Sequence, residues 1–192
     1  MANPGPSHCK ALSRVLAYLH RTRRWVLRLR PNLDDPRLSI YSDASWTVNN
    51  SISGGMVLFH GMIIAWWTRR QKSVSSSSAE AEYFAAALAS REGVYYRDLA
   101  EDAAHGPTGP TPLKLDNKSA IELTHDPVAF KKTKHILRAA NELRDRVARD
   151  IFRPEFVEGS AQLADLMTKG LGPASHRVQL ARVLHQEPDE TP

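Results

Sequence analysis

Apolar side chains fall at Leu12, Val15, Leu16 and Leu19, the three-and-four spacing of a helix with one apolar stripe. Pro31, Asp34, Asp35 and Pro36 then interrupt the pattern. The stretch "LSIYSDASW" alternates β-forming residues and predicts a strand. "ISGGMVLFHGMIIAWW" predicts two more, joined at His60-Gly61, so the three make an antiparallel unit with a basic tail, "TRRQK".

A serine run leads into a long helix predicted over residues 78–104, and "HGPTGPTP" is a loop. "LKLDNKSA" reads as a short strand handing over to a helix capped near Asp116 or Asn117. A helix is predicted over residues 133–150, and "IFRPEFVEG" is a further strand, at a sheet edge because Pro154 has no N–H to share. Ser160 caps a final helix, "AQLADLMTKGL", stopped at Gly172-Pro173, and an amphipathic piece, "ASHRVQLARVLH", precedes an acidic end. The order β-β-β-α-β-α-α-β-α predicts an α/β fold. Its mixed five-stranded sheet has three antiparallel strands plus two further strands, with helices on both faces.

Composition narrows the setting. At 42% hydrophobic, the 192 residues suffice for a packed core, and no apolar run approaches the roughly 20 residues that cross a bilayer. No signal-peptide pattern opens the chain, and the lone Cys9 can form no internal disulfide, so an intracellular, reducing compartment is expected, cytoplasmic or nuclear. The eight histidines are scattered, which argues against a Cys/His metal site. The net charge of +5 sits in residues 1–36, where seven Lys and Arg face only Asp34 and Asp35. A polyanion partner would suit that arm, and so would a plain solvated helix face.

The candidate chemistry lies in carboxylates. Asp43 is within the first strand of the sheet, Glu82 in the first turns of the long helix, Asp116 at the end of the fourth strand and Asp165 early in the last helix. Singly, each has an ordinary structural role available, as a surface residue, a dipole partner or an N-cap. Together they sit where this layout brings chain ends together. Hard divalent cations take oxygen ligands, and a carboxylate cluster holding two of them can cleave a phosphodiester. At about 100° per residue, Glu82 shares a face with Ala86, Ala89 and Gly93, small residues that let a helix lie close on a sheet. Glu80 points elsewhere and belongs to the helix N-terminus. One glutamate caps; the other is aimed toward Asp43.

"YSDASW", "SGGMVLFHGMIIAWWTRRQKSVSSSSAEAEY", "LDNKSAIEL", "KKTKHI" and "VEGSAQLADLMTKGL" resemble, in order, the RNase H domain of copia-type LTR retrotransposon polyproteins. "NPGPSHCKALSRVLAYLHRT" is similar to the end of the reverse transcriptase that precedes it there. The resemblance implies three segments: 1–36 as that basic helical end, 37–172 as the RNase H domain and 173–192 as a C-terminal helix and acidic tail. It implies an RNase H fold and hydrolysis of the RNA strand of RNA–DNA hybrids with two Mg²⁺ ions, Mn²⁺ substituting. Asp43 would bridge both metals, Glu82 and Asp116 would complete one site, and Asp165 the other. A reverse transcriptase is an implied partner, and virus-like particles an implied location.

The match has departures. Leu137 stands where the family pattern has Asp after "KHI", followed by Ala139, Ala140 and Asn141 in place of polar and aromatic residues. The loop "VEGSAQ" lacks the histidine by which many cellular RNases H are thought to release product, so slow turnover is expected. Contacts to the hybrid's phosphates and 2′-hydroxyls are expected from Arg69, Arg70, Lys72, Asn117 and Ser119, and from Lys132 and Lys134 in "KKTKH". At least one of Trp66 and Trp67 is expected in the core. Two other readings stay open: an inactive module of the same fold that binds nucleic acid or a polymerase, and an integrase-type core. The latter's acidic order is Asp, Asp, Glu, not the Asp, Glu, Asp, Asp found here.

Overall fold

A computed structural model describes residues 3–72, 74–125 and 134–188. The chain runs through α1 (Pro6–Thr22), β1 (Trp25–Val26), β2 (Leu38–Ser45), β3 (Ile52–Phe59), β4 (Met62–Arg70) and α2 (Ser78–Asp102). It continues through β5 (Thr111–Leu115), α3 (Lys118–His125), α4 (Lys134–Ala148), β6 (Phe152–Phe156), α5 (Asp165–Thr168), α6 (Pro173–Val183) and β7 (His185–Gln186).

His60 and Gly61 both adopt positive φ, 46° and 76°, and this two-residue turn folds β4 back on β3. A Cβ on Gly61 would run into the Asp35 carboxylate, so space as well as backbone geometry requires glycine there. β2 pairs antiparallel with β3 and parallel with β5, and β5 pairs parallel with β6, giving the order β4-β3-β2-β5-β6. Pro154 lies in β6, on the sheet edge that its missing donor predicts. The opposite edge, β4, runs three residues beyond Trp67 and carries Arg69 and Arg70, charges that blunt an edge against further pairing.

The main core lies between the sheet and α2 and α4, around Leu38, Ile40, Val57, Tyr83, Leu113, Leu115, Leu143 and Phe152. A second cluster, Met56, Leu58 and Ile63 with Leu163, Leu166, Met167 and Val183, closes the other face against α5 and α6. Helices therefore cover both faces, and β2, at the centre, is buried along most of its length.

Two elements differ from the sequence pattern. The predicted final helix is broken into a 3₁₀ turn at Gly159–Ala161, an extended Gln162, and the single turn of α5. The cause is tertiary. The buried Gln162 amide donates to Ser42 O at 3.0 Å and its oxygen accepts from Ala164 N, while Ser160 O accepts from Gln179 and Arg182 of α6. The other is α1. Its stripe of Leu12, Val15, Leu16 and Leu19 remains more than half exposed, with no cover among the described residues. The segment is nonetheless joined to the far end of the chain by the β1–β7 ribbon and by an edge-to-face contact of Tyr18 with His176.

Candidate metal centre

Asp43 is fully buried because β2 is central and covered on both faces. Parallel pairing aligns Ile40 with Leu113 and Tyr41 with Lys114. The same register carried two residues further sets Asp116 beside Asp43. α2 meets the sheet through Ala85, Ala86, Ala89 and Gly93, all buried. A Cβ on Gly93 would collide with Ile40 and Phe152, which is why the helix can lie so close. That approach carries Glu82 to the strand, where its Oε2 accepts the Ala44 N–H at 3.0 Å. Oxygens of Asp43, Glu82 and Asp116 come within 4.8 Å of one another. Glu80 stays at the helix start. The Ser77 hydroxyl caps its N–H, and its carboxylate accepts from the N–H and hydroxyl of Ser76.

The fourth carboxylate arrives from the other face. Gly54 pairs with Asp43 across the β2–β3 ladder, and α5 fills the space above it. The Thr168 hydroxyl donates to Asp43 Oδ2. Lys169 Nζ lies 2.7 Å from Asp165 Oδ1, 3.2 Å from Asp43 Oδ1 and 3.8 Å from Asp116 Oδ2. Asp165 thus joins the cluster through a shared cation, at the rim of the tight trio.

So many like charges in one buried place favour the protonated forms. Burial, then Asp43 and Asp116, pushes Glu82 up to about 9. Burial also raises Asp116, with Asp43 adding to it, and raises Asp165 against the opposing pull of Lys169. Burial works against the charge on Lys169, but the hydrogen bond to Asp165 and the charge of Asp43 outweigh it, and its pKa is raised. Asp43 Oδ1 is buried, and its one close polar partner among the described residues is the Lys169 ammonium at 3.2 Å. A buried carboxylate oxygen ringed by further carboxylates is a donor set that fits hard, oxygen-seeking divalent cations.

The expected nucleic-acid contacts are spread more widely. Arg69 is exposed but ion-paired to Glu92 of α2 at 2.6 Å, and so is directed away from the carboxylates. Arg70 and Lys72 are exposed. Asn117 caps α3, its side-chain oxygen accepting from Ala120 N at 3.0 Å, and Ser119 is exposed on that helix. Lys134 is the first residue of α4, and Lys132 lies outside the described residues. Trp67 packs over Gly55 against the core, while Trp66 is exposed and lines an apolar cleft with Tyr18, Leu27 and Leu180. Sequence reading missed Gln162, Thr168 and Lys169. The i,i+4 spacing of Asp165 and Lys169 was the available signal for the last.

Sheet order, helices on both faces and an acidic cluster on the central strands define an RNase H-fold domain. The N-terminal RNase H domain of a Mycobacterium tuberculosis protein, solved as a fusion with maltose-binding protein, superposes with a TM-score of 0.51. That match has 15% identity and covers 74% of this chain and 98% of that one. No family model matches the sequence. The Pol polyprotein of transposon RE1 from Arabidopsis thaliana is 33% identical over 175 residues, 89% of this chain and 12% of the polyprotein. That of transposon TNT 1-94 from Nicotiana tabacum is 30% identical over 174 residues, 88% of this chain and 13% of the polyprotein. The chain belongs with these retrovirus-related Pol polyproteins of copia-type transposons, of whose length it spans about an eighth.

Proposed function

We propose that this chain is a ribonuclease H, cutting the RNA strand of RNA–DNA hybrids with two Mg²⁺ ions or Mn²⁺ in their place. The observation that carries the reading is the convergence of Asp43, Glu82 and Asp116 within 4.8 Å, with Asp165 linked to Asp43 and Asp116 through Lys169. The kinship with retrovirus-related Pol polyproteins of transposons supports the same reading.

Asp43, central and fully buried, would be the ligand common to both ions, with Glu82 and Asp116 completing one site and Asp165 the other. Bound divalent ions supply an activated water and charge stabilisation for the departing oxygen. The protein's own part is to hold four oxygens in place. The Ala44 N–H fixes Glu82, the Thr168 hydroxyl fixes Asp43, and the Gln162 bridge to Ser42 fixes the start of α5. The proton that Glu82 keeps near neutral pH has to leave when metal binds. Arg70, Lys72 and Ser119 remain available to phosphates, Asn117 offers its amide group, and α1 presents an uncovered apolar stripe to a polymerase domain. Such a protein works inside the cell, or inside virus-like particles. No helix among the described residues is long and apolar enough to cross a membrane.

The test is an RNA–DNA hybrid labelled on its RNA strand, incubated with Mg²⁺ and either wild type or Asp116→Asn. RNA cleavage that vanishes in the variant supports the assignment. Equal cleavage by both proteins, or none by wild type, rejects it.

A further inference from the structure

The acidic centre already holds a cation of its own. α5 stops at Lys169, whose backbone is extended at φ −114° and ψ 137°, and its side chain lies over the carboxylates. Among the described residues it is the one Lys or Arg within ion-pair distance of Asp43, Asp116 or Asp165. We propose that Lys169 is a tethered counter-ion that holds these carboxylates together before metal enters, and that divalent cations bind by displacing it. The proposal rests on the metal-centre reading above.

Competition follows from geometry. The ammonium takes lone pairs on Asp165 Oδ1 and Asp43 Oδ1 that a metal would need at roughly 2.0–2.6 Å. Two positive centres a few ångströms apart on the same oxygens repel. The side chain has somewhere to go: it is 37% exposed, at the rim of the cluster, on a flexible four-carbon stem. Displaced, its charge stands at the mouth of the site. Its effect on the chemistry is thus exerted through the carboxylates, as a positioning group.

The experiment uses the full chain and Mn²⁺ alone, titrated calorimetrically into wild type, Lys169→Met, Lys169→Arg and Asp116→Asn. Lys169→Met is expected to bind Mn²⁺ about tenfold more tightly and to melt lower in EDTA, while Lys169→Arg stays near wild type. A second readout needs no variant: amine-reactive labelling of wild type, read by mass spectrometry, should modify Lys169 several-fold faster with Mg²⁺ than in EDTA. That readout decides the matter if Lys169→Met fails to fold. Unchanged or weaker Mn²⁺ affinity in Lys169→Met, or labelling indifferent to Mg²⁺, overturns the proposal and leaves the centre intact. Absence of Asp116-dependent Mn²⁺ binding in wild type overturns the metal-centre reading along with it.

Discussion

Gly54 stands opposite Asp43 in the β2–β3 ladder, and a Cβ on it would lie 2.6 Å from both Met167 Cβ and Thr168 Cγ2. The missing side chain is what lets α5 descend far enough for Thr168 and Lys169 to reach Asp43. Gly54→Ala should push α5 away without touching a carboxylate. The expected result is a folded protein whose hybrid cleavage falls on the order of 100-fold, the cost of a displacement near 1 Å at a reacting centre. Circular dichroism and a cleavage assay on the same preparation check it. Undiminished cleavage would show that the approach of α5 is immaterial.

Much of this arrangement was legible beforehand because it rests on local pattern. The small face of α2 announced a close helix–sheet contact and singled out Glu82 over Glu80, and the His60-Gly61 turn announced the β3–β4 hairpin. What stayed hidden depends on contacts distant in sequence. Gln162 breaks a plausible helix because its amide finds Ser42, 120 residues away, and Lys169 reads as an ordinary surface lysine until the strands are assembled around it. The uncovered stripe of α1 was hidden for the opposite reason, since periodicity reports an apolar face but not whether anything packs on it.

Replacing Glu82 by glutamine separates folding from metal binding. Glutamine keeps an oxygen for the Ala44 N–H and removes a group that the folded chain holds protonated, its pKa raised to about 9. Glu82→Gln should therefore melt within about 1 kcal/mol of wild type at pH 7 in EDTA, as a near-isosteric replacement of a neutral acid does. Cleavage should nevertheless drop by roughly 10²–10³, the scale of losing one electrostatic group at a reacting centre. Thermal melting and cleavage rates, measured side by side, decide it. A strongly destabilised variant would mean that the charged form of Glu82 supports the fold.

The acidic cluster should also make metal-free stability depend on pH. Glu82 is raised by burial and by Asp43 and Asp116, from its ordinary value of 4.5 to about 9. Between those values the folded chain binds a proton that the unfolded chain has released, so stability is highest below the window and falls as pH rises through it. The raised pKa values of Asp116 and Asp165 act in the same direction, and Lys169 stays charged throughout. In EDTA the melting temperature should decline from pH 5 to pH 9. Saturating Mg²⁺ or Mn²⁺, which requires ionised ligands, should flatten or reverse that slope. Identical slopes with and without metal would separate these carboxylates from any metal site.

Phosphate contacts can be sorted by whether they are already engaged. Arg69 is committed to Glu92 at 2.6 Å, whereas Arg70 and Lys72 are exposed and without an ion pair among the described residues. Each unengaged cation that meets a phosphate releases counterions from the hybrid, and its removal should lower the salt dependence of binding by about one unit of log–log slope. Arg70→Ala and Lys72→Ala should each show that reduction in hybrid affinity measured from 50 to 200 mM salt. Arg69→Ala should show less, because breaking its pair with Glu92 is part of its cost of binding. The proteins are best compared as Asp116→Asn variants, so that substrate survives the titration. An Arg69 effect equal to the other two would mean that the pair opens freely and that β4 offers all three charges to the duplex.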